Sequence, residues 1–155
     1  MQSSPLSRDR RYDAPVKVSF VAGFGPIVPD TDAARRFWQS GLGIDLSEAA
    51  PGYFATDDLG GVRAFALWPL SQAAESTFGA EAWPDDIPTP QAWIELDVDS
   101  ATAVGEAVAE LAAGGHRVLR GAHDEPWGQT TSRLLSPEGL LVGVTYTPWM
   151  HENES

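Results

Sequence analysis

The sequence predicts an α+β fold made of two βαβββ modules that together form an open cleft. Three observations predict it. A strand-helix-three-strand order occurs twice, an Asp-x-Asp pair (Asp30 and Asp32, then Asp97 and Asp99) stands ahead of each helix, and a stretch with four prolines, residues 69–90, separates the copies. Each module has one helix to cover one face of its strands, so the opposite faces stay bare, and two bare faces brought together make a cleft.

The first module spans residues 16–68. "VKVSFVAGFGPIV" (16–28) is rich in β-branched and aromatic residues at period two and predicts a strand. "PDTDAARRFWQSGLG" predicts a helix, with Asp30 or Thr31 as its cap and Gly41 and Gly43 ending it. Ala33, Ala34, Phe37, Trp38 and Gly41 fall on one face at helical spacing, and Trp38 reads as core. Short strands follow at Ile44–Leu46, Tyr53–Thr56 and Val62–Trp68, the last two separated by the turn "DDLGG".

The second module, residues 91–147, repeats the order. "QAWIELDV" predicts a strand, and "DSATAVGEAVAELAAGG" a helix capped by Asp99 or Ser100, with Ala101, Val104, Val108, Leu111 and Ala112 as its stripe. "HRVLR", "TTSRLLS" and "LLVGVTY" supply three more strands. Residues 69–90 are too long for an ordinary connection and read as a linker or a flap over the cleft, with Phe78 and Trp83 as docking residues. Residues 1–15 read as a flexible lead-in without an apolar core for a secretory signal, and 149–155 as a tail.

Composition narrows the chemistry. The chain has 155 residues, 43% of them hydrophobic, and no apolar run near the roughly 18 residues needed to cross a bilayer, so a soluble, cytoplasmic protein is expected. Cysteine is absent, which removes disulfides, thiolate metal ligands and cysteine nucleophiles together. With 22 acidic against 10 basic residues the net charge is −12, which repels nucleic acid and anionic membranes and favours a cationic partner. No GxSxG elbow or phosphate-binding loop is present.

"RRFWQSGLGI", "QAWIELDVDS" and "DEPWGQTTSRLLSPEGLL" together resemble the vicinal oxygen chelate superfamily, also called the glyoxalase/bleomycin resistance protein/dioxygenase superfamily, over residues 18–147. The resemblance is nearest to the bleomycin resistance protein branch, although Ser136 stands where that branch usually has Asp. It implies paired βαβββ modules and, commonly, a homodimer whose clefts both chains complete. It also implies, in the enzymes, a divalent metal held by His or Gln early in the first strand of each module and Glu in the last. At those places this chain carries Gly23 and Gly143, residues Ala64 to Ala66, and, near Pro90 to Ala92, only Gln91. A lone amide oxygen holds no divalent ion tightly, so no metal and no cofactor is expected. His116, His123 and His151 are spaced as ordinary surface histidines.

Strand alternation selects the candidate ligand contacts. Ile94, Leu96 and Val98 suit the helix-covered face, which turns Gln91, Trp93 and Glu95 toward the cleft. An acid on a central strand is costly under a helix, so Glu95 reads as facing a wet cavity or a ligand cation. Glu95 with Asp97 forms a possible acid/base pair. Arg63, Phe65 and Leu67 share one face and Thr131 and Arg133 another, which adds Arg63, Phe65 and Arg133 as candidates. In the branch resembled, the tryptophan corresponding to Trp127 lines the ligand groove beside the dimer interface. Two readings follow: a metal-free binding protein for an aromatic or cationic small molecule, and a lyase, isomerase or dioxygenase-type enzyme acting on a small carbonyl or aromatic substrate.

Overall fold

The computed structural model describes residues 16–151, so the lead-in and residues 152–155 of the tail lie outside the described residues. Eight strands, β1 (Phe20–Val28), β2 (Ser47–Ala50), β3 (Tyr53–Thr56), β4 (Phe65–Pro69), β5 (Ala92–Asp97), β6 (Arg117–Asp124), β7 (Thr130–Leu135) and β8 (Leu141–Thr145), form one open sheet in the order β2-β3-β4-β1-β5-β8-β7-β6. Within each module the first strand pairs parallel with the last, β1 with β4 and β5 with β8. The modules join where β1 and β5 run antiparallel, Phe24 opposite Ile94. The mixed α+β fold thus matches the sequence reading, with the two four-stranded halves fused edge to edge.

Two helices cover one face. The first, α1 (Thr31–Arg35), begins where the Asp30 carboxylate accepts the Ala33 N–H, and it continues as a π-helical turn over Arg36–Gly41. There the Leu42 N–H reaches back five residues to the Phe37 carbonyl, which turns Phe37 out of the expected stripe to 58% exposure. Trp38 and Ala34 stay against Val28, Leu46, Phe65 and Leu67. The longer α3 (Ala101–Ala113) is capped by Ser100, whose hydroxyl accepts the Ala103 N–H. Its inner residues are Ala103, Val104, Ala107 and Leu111, packed on Val98, Leu134 and Val144. Ala101 and Ala112 of the expected stripe are exposed, because a helix this rich in alanine carries nearly equal apolar stripes one residue apart in phase.

The opposite face carries what the sequence left as a linker. Residues Leu70–Phe78 form α2, ended by Gly79 at φ 78°, where a left-handed backbone suits glycine. Ala73 and Ala74 are fully buried and Thr77 nearly so. Ala73 packs with Ile27, Ala66, Trp68, Trp93 and Leu141, with Tyr53, Leu70, Trp83 and Leu119 at the margin. The helix touches β1, β4 and β6. Since β4 and β6 stand five places apart in the strand order, the sheet curls around α2. Beyond α2, Trp83 meets Phe78 edge to face, with ring centroids 4.9 Å apart, and its indole N–H donates to the Ile87 carbonyl. A last short helix, α4 (Pro148–His151), occupies the start of the expected tail.

Candidate functional site

The register assigns each side chain a face. Trp93 stands opposite Leu141, Glu95 opposite Gly143 and Asp97 opposite Thr145, while Ile94 and Leu96 face the other way with Val142 and Val144. Leu141 and Trp93 belong to the cluster beneath α2, and Val142 and Val144 to the cluster beneath α3. The concave face therefore holds Trp93, Glu95 and Asp97 in a row.

Around Glu95 the row becomes a hydrogen-bonded line. Nη1 of Arg133 donates to Glu95 Oε2 at 2.8 Å, and Nε2 of Gln129 donates to Glu95 Oε1 at 3.0 Å. Gln129 also donates to Thr147 Oγ1 at 2.9 Å, and Thr147 donates to Asp97 Oδ1 at 2.9 Å. Asp97 is fully buried and accepts three more bonds, from Thr145 Oγ1 at 2.6 Å, the Thr147 N–H at 2.7 Å and His151 Nε2 at 2.7 Å. At the outer end, the Trp127 indole N–H donates to Gln129 Oε1 at 2.9 Å while 56% of the residue is exposed.

Arg133 anchors the inner end. Its side chain is 1% exposed, and its guanidinium lies 4.9 Å from the Trp68 ring centroid. Beside it Glu125 accepts from Thr131 Oγ1 at 2.9 Å and from Ser76 of α2 at 3.2 Å. Tyr53 reaches the same place from β3, and burial, reinforced by the nearby Glu95 charge and opposed by Arg133, pushes its phenol well above the usual range. The phenol thus keeps its proton well above neutral pH.

The glycines now acquire a cause. A Cβ on Gly143 would lie 2.7 Å from Nη1 of Arg133 and 3.1 Å from Cγ of Glu95. One on Gly23 would lie 2.7 Å from Cη2 and Cζ3 of Trp93. At both positions the space that a side chain would need is filled, by the indole of Trp93 at Gly23 and by the guanidinium of Arg133 at Gly143. Counted from the observed caps, Trp93 stands seven residues before Ser100 as Gly23 does before Asp30, so Trp93, and not Gln91, is the second-module counterpart of Gly23. Among the described residues no group of three or more His, Cys, Asp or Glu is placed to hold a metal ion. The residues present do not fit the superfamily's metal.

The remaining sequence candidates are dispersed. Gln91 precedes β5 and is exposed. Phe65 is 4% exposed beneath α1, its ring centroid 5.5 Å from that of Trp38, on the face away from Glu95. The alternation that grouped Phe65 with a cleft arginine holds along β4, but that register points to α1. Arg63 lies 3.9 Å over the Phe20 ring and donates to the Met150 carbonyl at 2.8 Å, next to α4. Gln129, which ties Trp127 to Glu95, went unremarked in the sequence; its only signal was its place after Pro-Trp-Gly.

The comparisons with known proteins agree with this architecture. The model of the family described as Glyoxalase/Bleomycin resistance protein/Dioxygenase superfamily matches residues 23–144. The chain belongs to that superfamily. A superfamily member from Vibrio splendidus 12B01 is similar at 16% identity and TM-score 0.54, over 84% of this chain and 100% of the other. An NAD-dependent benzaldehyde dehydrogenase from Legionella pneumophila is similar at 13% identity and TM-score 0.56, over 80% and 96%. A single-residue variant of Streptomyces coelicolor methylmalonyl-CoA epimerase, solved with 2-nitronate-propionyl-CoA, is similar at 15% identity and TM-score 0.49, over 85% and 99%. Likeness to the first two at these identities shows the shared fold. No curated protein matches the chain.

Proposed function

We propose that this superfamily member is a metal-free small-molecule-binding protein, close in kind to the bleomycin resistance branch, that takes up an aromatic ligand at the Trp127 end of the concave face. The observation that supports it is the replacement of metal-ligand positions by glycines whose space Trp93 and Arg133 occupy. Trp127 offers an exposed indole whose N–H is already held by Gln129, so its plane is set for a ring to stack on it. A ligand cation loses its expected partner, because both Glu95 oxygens are taken by Arg133 and Gln129. The same pairing weakens the enzymatic reading in which Glu95 acts as a base; retained turnover in Glu95→Gln would exclude that role.

Covering Trp127 with a planar ring contributes about 2 to 4 kcal/mol by area before ordering costs. Tryptophan fluorescence should therefore be quenched by planar aromatic compounds in the intact chain, with Trp127→Ala weakening the response at least about tenfold. An unchanged response in Trp127→Ala would move the site elsewhere. A homodimer that shelters Trp127 is part of this proposal, and sedimentation of the same samples reads it directly; a monomer would remove that part.

A further inference from the structure

Among the described residues two buried side-chain polar atoms have no hydrogen-bond partner, Nε of Arg133 and Oγ1 of Thr77. They belong to one interface. Thr77 follows Ala73 by one turn on the inner side of α2, and Ala73 packs in the cluster of Trp68, over whose ring Arg133 lies. The carbonyl of Ser76 accepts from Arg120 Nη1 at 2.7 Å, and Arg120 is the register partner of Arg133 across β6 and β7. The end of α2 thus hangs over the strand that carries Arg133.

The unused part of Arg133 has a definite shape. Glu95 takes Nη1 at 2.8 Å, whereas Nη2 stands 4.0 Å from Glu125 Oε2, beyond hydrogen-bond range, and Nε has no acceptor. Nε and Nη2 form the side of a guanidinium that binds a carboxylate through two parallel bonds. The Thr77 hydroxyl, on the inner side of α2, is likewise without a partner. The covering helix meets the concave face through small side chains, Ala73, Ala74 and Thr77, and Pro69 at its start gives no side-chain cap. Displacing it costs these small apolar contacts and the bonds of Ser76 to Arg120 and Glu125.

We propose that α2 closes a site for a small aromatic carboxylate, whose carboxylate takes the Nε and Nη2 edge of Arg133 together with the Thr77 hydroxyl. The ring replaces the alanines of α2 against Trp68 and Trp93, and α2 settles back over it. This rests on the metal-free binding proposed above and adds a second place for a ligand, at the Arg133 end of the concave face rather than at Trp127. It also fixes the sign of the salt effect. With a net charge of −12 the surface repels a carboxylate, so added salt leaves affinity unchanged or raises it, where it would weaken a cation.

The test is calorimetric titration of the intact chain with 2-naphthoate, 2-naphthamide and 2-naphthylmethylamine at low and high salt, with amide hydrogen exchange of residues 70–78 followed in parallel. The expected result is binding of the carboxylate about tenfold or more tighter than the amide, no amine binding, and changed exchange in α2. Thr77→Val should weaken the carboxylate several-fold and leave the amide unchanged, with unaltered circular dichroism. Arg133→Lys keeps the charge but lacks the paired edge, and should weaken it further. Equal binding of carboxylate and amide, untouched by Thr77→Val, would overturn the carboxylate site while leaving aromatic binding standing. So would a crystal structure with naphthoate present in which one ordered water alone bridges Thr77 and Arg133. Silence of all three compounds in every readout would overturn both.

Discussion

At the scale of single residues, Gly143 and Gly23 show what a sequence conveys and what it withholds. Their lack of ligand atoms was plain from the sequence. The cause was not, because it depends on which side chains the register brings opposite them: Arg133 Nη1 and the Trp93 ring each stand 2.7 Å from the missing Cβ. Arg133 was one of two arginines that alternation alone left equivalent, and only the pairing of β7 with β8 sends it to Glu95 while Arg63 goes to Phe20. Gly143→Ala should destabilise the fold by about 1–3 kcal/mol in chemical denaturation, since the guanidinium it crowds is held by Glu95 and Trp68. A stability equal to that of the unsubstituted chain would mean that the space is slack. Tyr53 gives a pH signature. Its folded-state pKa is raised, so above about pH 10 the unfolded chain gives up a proton that the folded chain keeps, and stability falls as pH rises. Tyr53→Phe should flatten that alkaline decline, as followed by urea unfolding between pH 9 and pH 11. A decline of the same slope in the variant would assign it to other groups.

At the scale of elements, seven of the eight strands were legible, the second lying at Ser47–Ala50 rather than at Ile44–Leu46, and the pieces that close the concave face were not. Strand periodicity survives because β1, β4 and β5 each present a buried side to their helices or to α2. The signal for α2 was there in Leu70, Ala73, Ala74 and Thr77 at helical spacing with Gly79 behind them, but alanine and threonine do not stand out as an apolar stripe. The short α4 was invisible for a different reason: what holds it is tertiary, a histidine on a buried aspartate 54 residues away in sequence. His151 also lies between Phe20 and Tyr146, at centroid distances of 5.0 and 4.9 Å. Removing it leaves fully buried Asp97 with three donors in place of four and strips the aromatic contacts, so His151→Ala should cost about 1–3 kcal/mol. Thermal or urea unfolding checks this. A neutral substitution would show that α4 adds nothing to the concave face.

For the molecule as a whole, duplication was the most legible feature, since two βαβββ orders in one chain leave few ways to bury both helices. Less legible was that β1 and β5 would fuse the halves into one curled sheet, and that the segment between the modules would turn back to fill it. Net charge pointed toward a cationic ligand, yet the charges that matter at the site are local: a buried guanidinium bound to one carboxylate with a second 4.0 Å away. Net charge governs approach and solubility, whereas side chains packed on the concave face govern what is held there.

That side chains of the protein have taken the place of a metal is the claim on which the rest depends. Calorimetric titration of chelator-treated protein with zinc, manganese and nickel tests it most directly. The account predicts no stoichiometric heat and no rise in the unfolding midpoint with any of them. One tight equivalent of metal, lost in Glu95→Gln, would contradict it.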